Sequence, residues 1–92
     1  METKEQIIER LTGAGYETIF EYDDPAGELF ADHTHPGEEY LVVIRGHIDV
    51  NMDRKHYSCG PGDELRFPQM MLHNARMGPE DCLYIVGEKK PV

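Results

Sequence analysis

The chain has 92 residues, of which 18 are acidic and 9 are basic, and its formal net charge at pH 7 is −9. A chain of this length forms a single domain with a modest core, and its acidic balance argues against nucleic acids and membranes as partners, because both attract basic surfaces. The charged start METKEQIIERL lacks the apolar core of a signal peptide, and no apolar run approaches the ~20 residues that span a bilayer, so a cytoplasmic protein is expected.

A short helix is predicted over residues 3–12. Thr3 is its N-cap, and Gln6 stands three residues further on, as in a capping box. Because so short a helix is unstable alone, it must dock on the rest of the protein. Its apolar stripe consists of Ile7, Ile8 and Leu11.

From Tyr16 onward the hydrophobic pattern changes to the period of two that is typical of strands. Turn sequences such as DPAG and GPGD separate the apolar segments every eight to ten residues through most of the chain. Many short strands at this spacing indicate an all-β sandwich or barrel. The strands are predicted at residues 16–23, 28–34, 39–45, 47–52, 56–59, 64–67, 72–77 and 82–87.

Two histidines near the end of the second predicted strand form a candidate metal site. His33 and His35 lie two residues apart, so in an extended strand they share a face at a separation of about 6–7 Å. The Pro36-Gly37 step allows the chain to turn and bring Glu39 to the same side, and His73 is a further candidate. Three imidazoles and a carboxylate suit a divalent first-row transition metal better than calcium or magnesium.

The spacing around this pair follows a recognisable pattern. Gly27 is followed by five residues and His33-Thr34-His35, and then by three residues and Glu39. Six further residues lead to Gly46. This order corresponds to the first of the two sequence motifs of the cupin family, in which Gly, His-x-His, Glu and Gly recur at the same intervals.

The second cupin motif is matched in part. Gly62 is followed by five residues and Pro68, and His73 stands at the expected position beyond it. Met70 and Met77 occupy the places where the motif has a glycine and an asparagine. With both motifs considered, the chain resembles the cupin family over residues 16–88.

The resemblance implies a fold and a cofactor. It implies a double-stranded β-helix, or jelly-roll, barrel with a short N-terminal helix, divided into a helix and linker at 1–15, a barrel at 16–88 and a frayed tail at 89–92. It also implies one divalent metal per chain, iron, manganese, nickel, zinc or copper, with the ligands matching His33, His35, Glu39 and His73. Glu38 is an alternative to Glu39 if the register slips by one residue, and thioether ligation by a methionine near His73 is a second alternative.

Strand parity predicts which side chains face the interior with these ligands. Leu29 and Ala31 should face inward with His33, and Ala75 should do so with His73. Their surroundings would be mostly apolar, as is common in a small-molecule site and equally common in an ordinary barrel core. The predicted pocket residues are Phe20, Tyr22, Leu41, Val43, Met71 and Met77.

Three functions are compatible with such a site. The first is a metalloenzyme that acts on a small oxygenated molecule by dioxygenase, isomerase or decarboxylase chemistry, as the resemblance allows. The second is a non-catalytic module that binds a small ligand or senses metal, and the third is a barrel with a structural metal. Additional polar groups are available to an enzyme by their chemistry alone, and they are Tyr22, Tyr40, Tyr84 and Arg76.

The third predicted strand, at residues 39–45, also indicates a partner. Its run Leu41-Val42-Val43-Ile44 is apolar on both faces, although only one face can line the pocket. Tyr40, Val42 and Ile44 therefore need cover from the N-terminal helix or from a second chain. The stripe on that helix is narrow, so a homodimer is expected.

Overall fold

The computed structural model describes residues 2–92, so that Met1, the first residue of the predicted N-terminal segment, lies outside it. Within these residues the chain forms one helix and eight strands, as the sequence predicted. In chain order these are α1 (Lys4–Gly13), β1 (Thr18–Asp24), β2 (Leu29–His33), β3 (Glu39–Arg45), β4 (Ile48–Met52), β5 (Lys55–Cys59), β6 (Glu64–Phe67), β7 (His73–Met77) and β8 (Cys82–Glu88).

The strands form two four-stranded antiparallel sheets that face each other. One sheet has the order β1-β8-β3-β6, and we call it the helix-covered sheet because α1 packs on its outer face. The other has the order β2-β7-β4-β5, and we call it the bare sheet. The chain passes repeatedly from one sheet to the other, which is the arrangement of a jelly roll. The predicted all-β jelly-roll fold with a short N-terminal helix is therefore confirmed.

The main core lies between the two sheets. Leu41 and Val43 enter it from the helix-covered sheet, and Ile48 and Val50 enter it from the bare sheet. All four are at most 4% exposed. The removal of these apolar surfaces from water is the principal force that holds the sheets together.

Helix α1 closes the outer face of its sheet. Thr3 and Gln6 form the predicted capping box, in which the Thr3 hydroxyl accepts from the Gln6 amide and the Gln6 side chain accepts from the Thr3 amide. Ile7 and Leu11 are buried in a second core cluster together with Val42 of β3. The cover that β3 was predicted to need thus comes, at least over Val42, from the same chain.

A β-bulge in β2 changes the side-chain parity that the sequence suggested. Phe30 pairs with Ala75 and His33 pairs with His73, so three steps along β2 oppose two steps along β7. The extra residue lets both Phe30 and His33 reach the interior. The inward placement expected for Leu29 and Ala31 is wrong for this reason, since Leu29 is 66% exposed and Ala31 is also exposed.

The C-terminal residues, where the sequence predicted a frayed tail, make hydrogen bonds to the barrel. The Lys89 amide donates to the Glu38 carbonyl, and Val92 exchanges two hydrogen bonds with the side chain of Gln69. The tail passes so close to Gly37 that a Cβ atom there would lie 1.9 Å from the Lys89 carbonyl oxygen. In the described chain no helix has the length and apolar character required to cross a membrane.

Candidate metal centre

Three histidines converge at one end of the space between the sheets. His33 ends β2 and His73 begins β7, and the two are direct cross-strand partners. His35 lies just beyond β2, in the connection to β3. The ring centroids are separated by 4.3 Å for His33 and His73, 4.9 Å for His33 and His35, and 5.0 Å for His35 and His73. One nitrogen from each ring lies within 4.8 Å of the other two, a spacing that one metal ion can bridge.

Backbone carbonyls fix the orientation of two of these rings. The Nδ1 atom of His33 lies 2.7 Å from the Ala31 carbonyl oxygen, and Nδ1 of His73 lies 2.9 Å from the Met71 carbonyl oxygen. A carbonyl only accepts, so each Nδ1 carries the proton and donates it. The Nε2 atoms of both rings are therefore left with a free lone pair, which is the arrangement that metal-binding imidazoles require.

The third ring contacts a carboxyl group. Nδ1 of His35 lies 3.0 Å from Oε2 of Glu39, the first residue of β3. Glu39 is 7% exposed and stands opposite Glu88 of β8 as its cross-strand partner. Burial, followed by the hydrogen bond to Glu88 and the charge of Glu88, raises the pKa of Glu39 to about 8. In the metal-free chain Glu39 therefore keeps its proton at neutral pH, and a bound cation would have to displace it.

Burial favours the neutral, metal-binding form of two of the three imidazoles, His35 and His73. Burial, followed by the proximity of His73 and His33, lowers the pKa of His35. Burial also lowers the pKa of His73, against a smaller opposing effect of the hydrogen bond to Met71. Three converging imidazole nitrogens beside a carboxyl group fit a divalent transition metal by donor type and by position.

The alternative ligands point elsewhere. Glu38 lies on the outer side of β3, where it accepts hydrogen bonds from the Tyr16 hydroxyl at 2.6 Å and from Arg66 at 3.0 Å. Met70 is 58% exposed. His47 and His56 lie away from the three histidines. Both contact the same carboxylate oxygen of Asp49.

A cavity of about 280 Å³ extends from the histidines between the sheets. Of the predicted pocket residues, Tyr22 and Leu41 line it. Phe20 is not among the lining residues; it is 37% exposed, and its ring lies 5.9 Å from that of Tyr22. Val43 and Met77 face inward but lie deeper in the core, each 1% exposed, because strands from the two sheets close together there. Met71 packs against the edge of the same core.

Several lining residues were missed by the sequence analysis. Phe30 enters through the bulge in β2, and Phe67 stacks near His73 with a centroid distance of 4.5 Å. Asp24, Glu28 and Glu88 bring three further carboxyl groups to the cavity wall. Asp24 continues the alternation of Phe20 and Tyr22 along β1, so strand parity carried one residue further would have found it.

The aromatic and basic groups proposed by chemistry alone divide into two sets. The hydroxyl group of Tyr84 lies in the cavity and donates a short hydrogen bond to Asp24, and Tyr22 stacks beside it at 5.3 Å. Tyr40 instead donates to Glu64 on the outer face of the helix-covered sheet. Arg76 is exposed on the bare sheet. Only the two tyrosines at the cavity can contact a ligand of the candidate centre.

Comparison with proteins of known structure agrees with this architecture. The chain resembles the DMSP lyase DddQ from Ruegeria pomeroyi, with a TM-score of 0.67 and 25% identity over 77% of this chain and 36% of the lyase. It resembles the cupin domain of an XRE family transcriptional regulator from Enterobacter cloacae, with a TM-score of 0.69 and 20% identity over 80% of this chain and 81% of that domain. It also resembles oxalate decarboxylase from Bacillus subtilis, with a TM-score of 0.72 and 18% identity over 78% of this chain and 20% of the decarboxylase.

The chain thus spans about a third of the lyase and a fifth of the decarboxylase. No curated protein sequence is significantly similar to it. The sequence model of the family described as "Cupin domain" matches residues 20–86, which is well over half of the chain. The chain belongs to the cupin superfamily.

Proposed function

We propose that this cupin binds one divalent transition metal per chain through His33, His35, His73 and Glu39, and that a small oxygen-bearing molecule binds at the same centre. The observation that carries the proposal is the convergence of three imidazoles on one end of the cavity between the sheets. Iron, manganese, nickel, zinc and copper all accept such a mixed nitrogen and oxygen donor set. Four protein ligands leave one or two positions open on a five- or six-coordinate ion.

The residues of the chain have distinct tasks in this proposal. The Ala31 and Met71 carbonyls hold the rings of His33 and His73 so that Nε2 faces the cavity. Phe67 and Leu41 shield the centre from bulk water, which strengthens electrostatic interactions inside it. A metal at this position would supply Lewis acidity toward a bound oxygen atom. Dioxygenase-like and isomerase-like reactions are the chemistry that family resemblance allows.

A non-catalytic ligand-binding or metal-sensing module is the second candidate. The observation that favours it is the likeness in fold to the cupin domain of a transcriptional regulator, of which this chain covers 81%. In this function the ligand or the metal would alter contacts with a partner instead of being converted. A structural metal, closed by four tetrahedral ligands, is the third.

Metal content tests the proposed ligands directly. Protein purified without a metal-affinity tag should carry close to one metal per chain by native mass spectrometry, and the double variant His33→Ala/His35→Ala should carry none. The matched control is His47→Ala/His56→Ala, which removes the same number of imidazoles from outside the cavity. Full metal content in the His33→Ala/His35→Ala variant would refute the site.

A second experiment separates an open centre from a closed one. Cobalt-loaded protein should change its visible absorption spectrum when it is titrated with oxalate, acetylacetone or catechol, because each chelates through two oxygens. An unchanged spectrum at millimolar concentrations would favour the structural metal. Turnover of phenols, diketones, thiols or sugars with each metal in turn would then distinguish an enzyme from a binding module.

A further inference from the structure

The cavity has two chemically different ends. One end holds the histidines together with Glu39 and Glu88. The other end is formed where β1 finishes and β2 begins, and Asp24 and Glu28 stand there with Tyr84. On β7, Met77 lies opposite Glu28 and His73 lies opposite His33. These two positions on β7 are four residues apart, so the two ends of the cavity are about 13 Å apart at the usual rise of a strand.

The charge of the lining is predominantly negative. Four carboxyl groups line the cavity, whereas no lysine or arginine is found among its lining residues within 2–92. A divalent metal at the histidines would offset the negative charges at that end only. Asp24 and Glu28 are left without a cationic partner in the wall of the cavity.

Glu28 has a hydrogen-bond acceptor without a donor. Its Oε2 atom is shielded from solvent and has no hydrogen-bond partner in the described chain. Asp24, by contrast, accepts a hydrogen bond from the Tyr84 hydroxyl. A buried acceptor without a donor is costly, so a ligand that supplies an N–H group to Glu28 gains more than one that does not.

Aromatic rings complete this end. Tyr22 and Tyr84 lie 5.3 Å apart and Phe30 faces them from the bare sheet. The faces of such rings attract cations, and carboxylates beside them add to that attraction.

We propose that the Asp24–Glu28 end of the cavity binds an ammonium group, and that the ligand is a small zwitterion whose carboxylate faces the histidines while its amino group faces Glu28. The metal end of this binding mode rests on the proposed function, whereas the ammonium end depends only on residues of the chain. A simple anion is disfavoured because three carboxylates beyond the candidate ligand Glu39 repel it. A neutral ligand leaves the Glu28 oxygen unpaired.

The test uses matched pairs of ligands that differ only in the amino group. Cobalt-loaded protein is titrated with propionate and β-alanine, butyrate and γ-aminobutyrate, and valerate and 5-aminovalerate, and the visible spectrum reports binding. For at least one chain length the amino acid should bind tenfold or more tightly than the plain acid. Glu28→Gln should abolish that preference and leave the metal content unchanged.

The control variant is Glu80→Gln, which removes the same charge from the exposed turn between β7 and β8 and should keep the preference. Asp24→Asn provides a second variant at the same end, should Glu28→Gln unfold. Equal binding of both members of every pair in the wild-type protein would overturn the proposal. A preference that persists in the double variant Asp24→Asn/Glu28→Gln would overturn it too.

A second readout does not depend on the metal. Propylammonium chloride titrated into the metal-free protein should shift the amide NMR signals of Glu28 and Phe30, whereas sodium propionate at the same ionic strength should not. If the ammonium ion shifts these signals but no acid changes the cobalt spectrum, the ammonium subsite is supported and the open metal centre is refuted. If the acids perturb cobalt but no ammonium effect appears by either method, the centre stands and the subsite is refuted.

Discussion

Met70 adopts a backbone conformation that usually belongs to glycine. Its φ is +62°, and its amide donates to the His35 carbonyl at 2.9 Å. This is the position at which the cupin motif has a glycine, so the loop keeps its shape at the expense of strain in a residue with a Cβ atom. Met70→Gly should raise the free energy of unfolding by about 0.5–1 kcal/mol, measured by urea denaturation. A loss of stability would contradict the strain argument.

Glu39 should make the stability of the metal-free protein depend on pH. The pKa of Glu39 is about 8 in the folded protein and lower in the unfolded chain. At a pH between these two pKa values, the native state keeps a proton that the unfolded state has released. The stabilisation by this proton is lost as pH rises through 8. The pKa values of His35 and His73 are lowered, so these residues destabilise the fold only as pH falls below their ordinary value of 6.5.

Between pH 6.5 and 8.5, therefore, Glu39 should dominate. Thermal unfolding of the metal-free protein should show a melting temperature that falls across this interval. In Glu39→Gln, which cannot ionise, the decline should be much smaller. An equally steep decline in the variant would show that another group is responsible.

At the scale of elements, the capping box of α1 decides how firmly the helix covers β3. Thr3→Ala removes the hydroxyl that accepts from Gln6 at 3.1 Å and should lower the free energy of unfolding by about 1 kcal/mol. Thr12→Ala, at an exposed position in the last turn of the same helix, is the matched control and should be neutral or slightly stabilising. Urea denaturation of both variants gives the comparison.

The crossing of the tail over the β2–β3 connection depends on Gly37. A Cβ atom at that position would collide with the Lys89 carbonyl, which is backbone and has little room to move. Gly37→Ala should therefore destabilise the protein by about 1–3 kcal/mol. Gly13→Ala is the control, since nothing lies within 4 Å of a Cβ atom there. Similar melting temperatures for the two variants would contradict the close approach.

The elements differ in how well the sequence predicts them, for a physical reason. The bounds of β3 and the capping box of α1 follow from local signals, namely the apolar run at 39–45 and the Thr3–Gln6 spacing, and the structure has both. The bulge in β2 does not follow from local signals, because it exists only in the pairing of β2 with β7. Parity arguments that assume a regular strand therefore misplaced Leu29 and missed Phe30.

The same distinction applies to the candidate site. The spacing of His33 and His35 and the motif around His73 predicted a cluster of three histidines, and the structure brings them together. Asp24 and Glu28 flank a turn, and their approach to the cavity depends on how two strands from opposite sheets meet. The chemistry near the histidines was therefore predictable, and strand parity would also have placed Asp24 at the cavity, whereas the position of Glu28 beside it required the structure.

For the whole molecule, the predicted homodimer remains a prediction. The argument from β3 is weaker than the sequence suggested, since Val42 is 2% exposed within the single chain. Other apolar side chains are still exposed, among them Phe20, Tyr22 and Leu29 near the edges formed by β1 and β2. Light scattering at micromolar concentration should give twice the chain mass of 10.6 kDa, and a value of 10.6 kDa would rule the dimer out.

The position of β8 has a consequence for how the protein is made. This strand lies between β1 and β3 in the helix-covered sheet, yet it comes last among the strands in chain order. During synthesis β1 emerges early, and about sixty further residues must be added before its partner β8 begins. Until then the aromatic side chains of β1 remain exposed to solvent. Pairings between distant segments form slowly. The helix-covered sheet can therefore be completed only after β8 has been made.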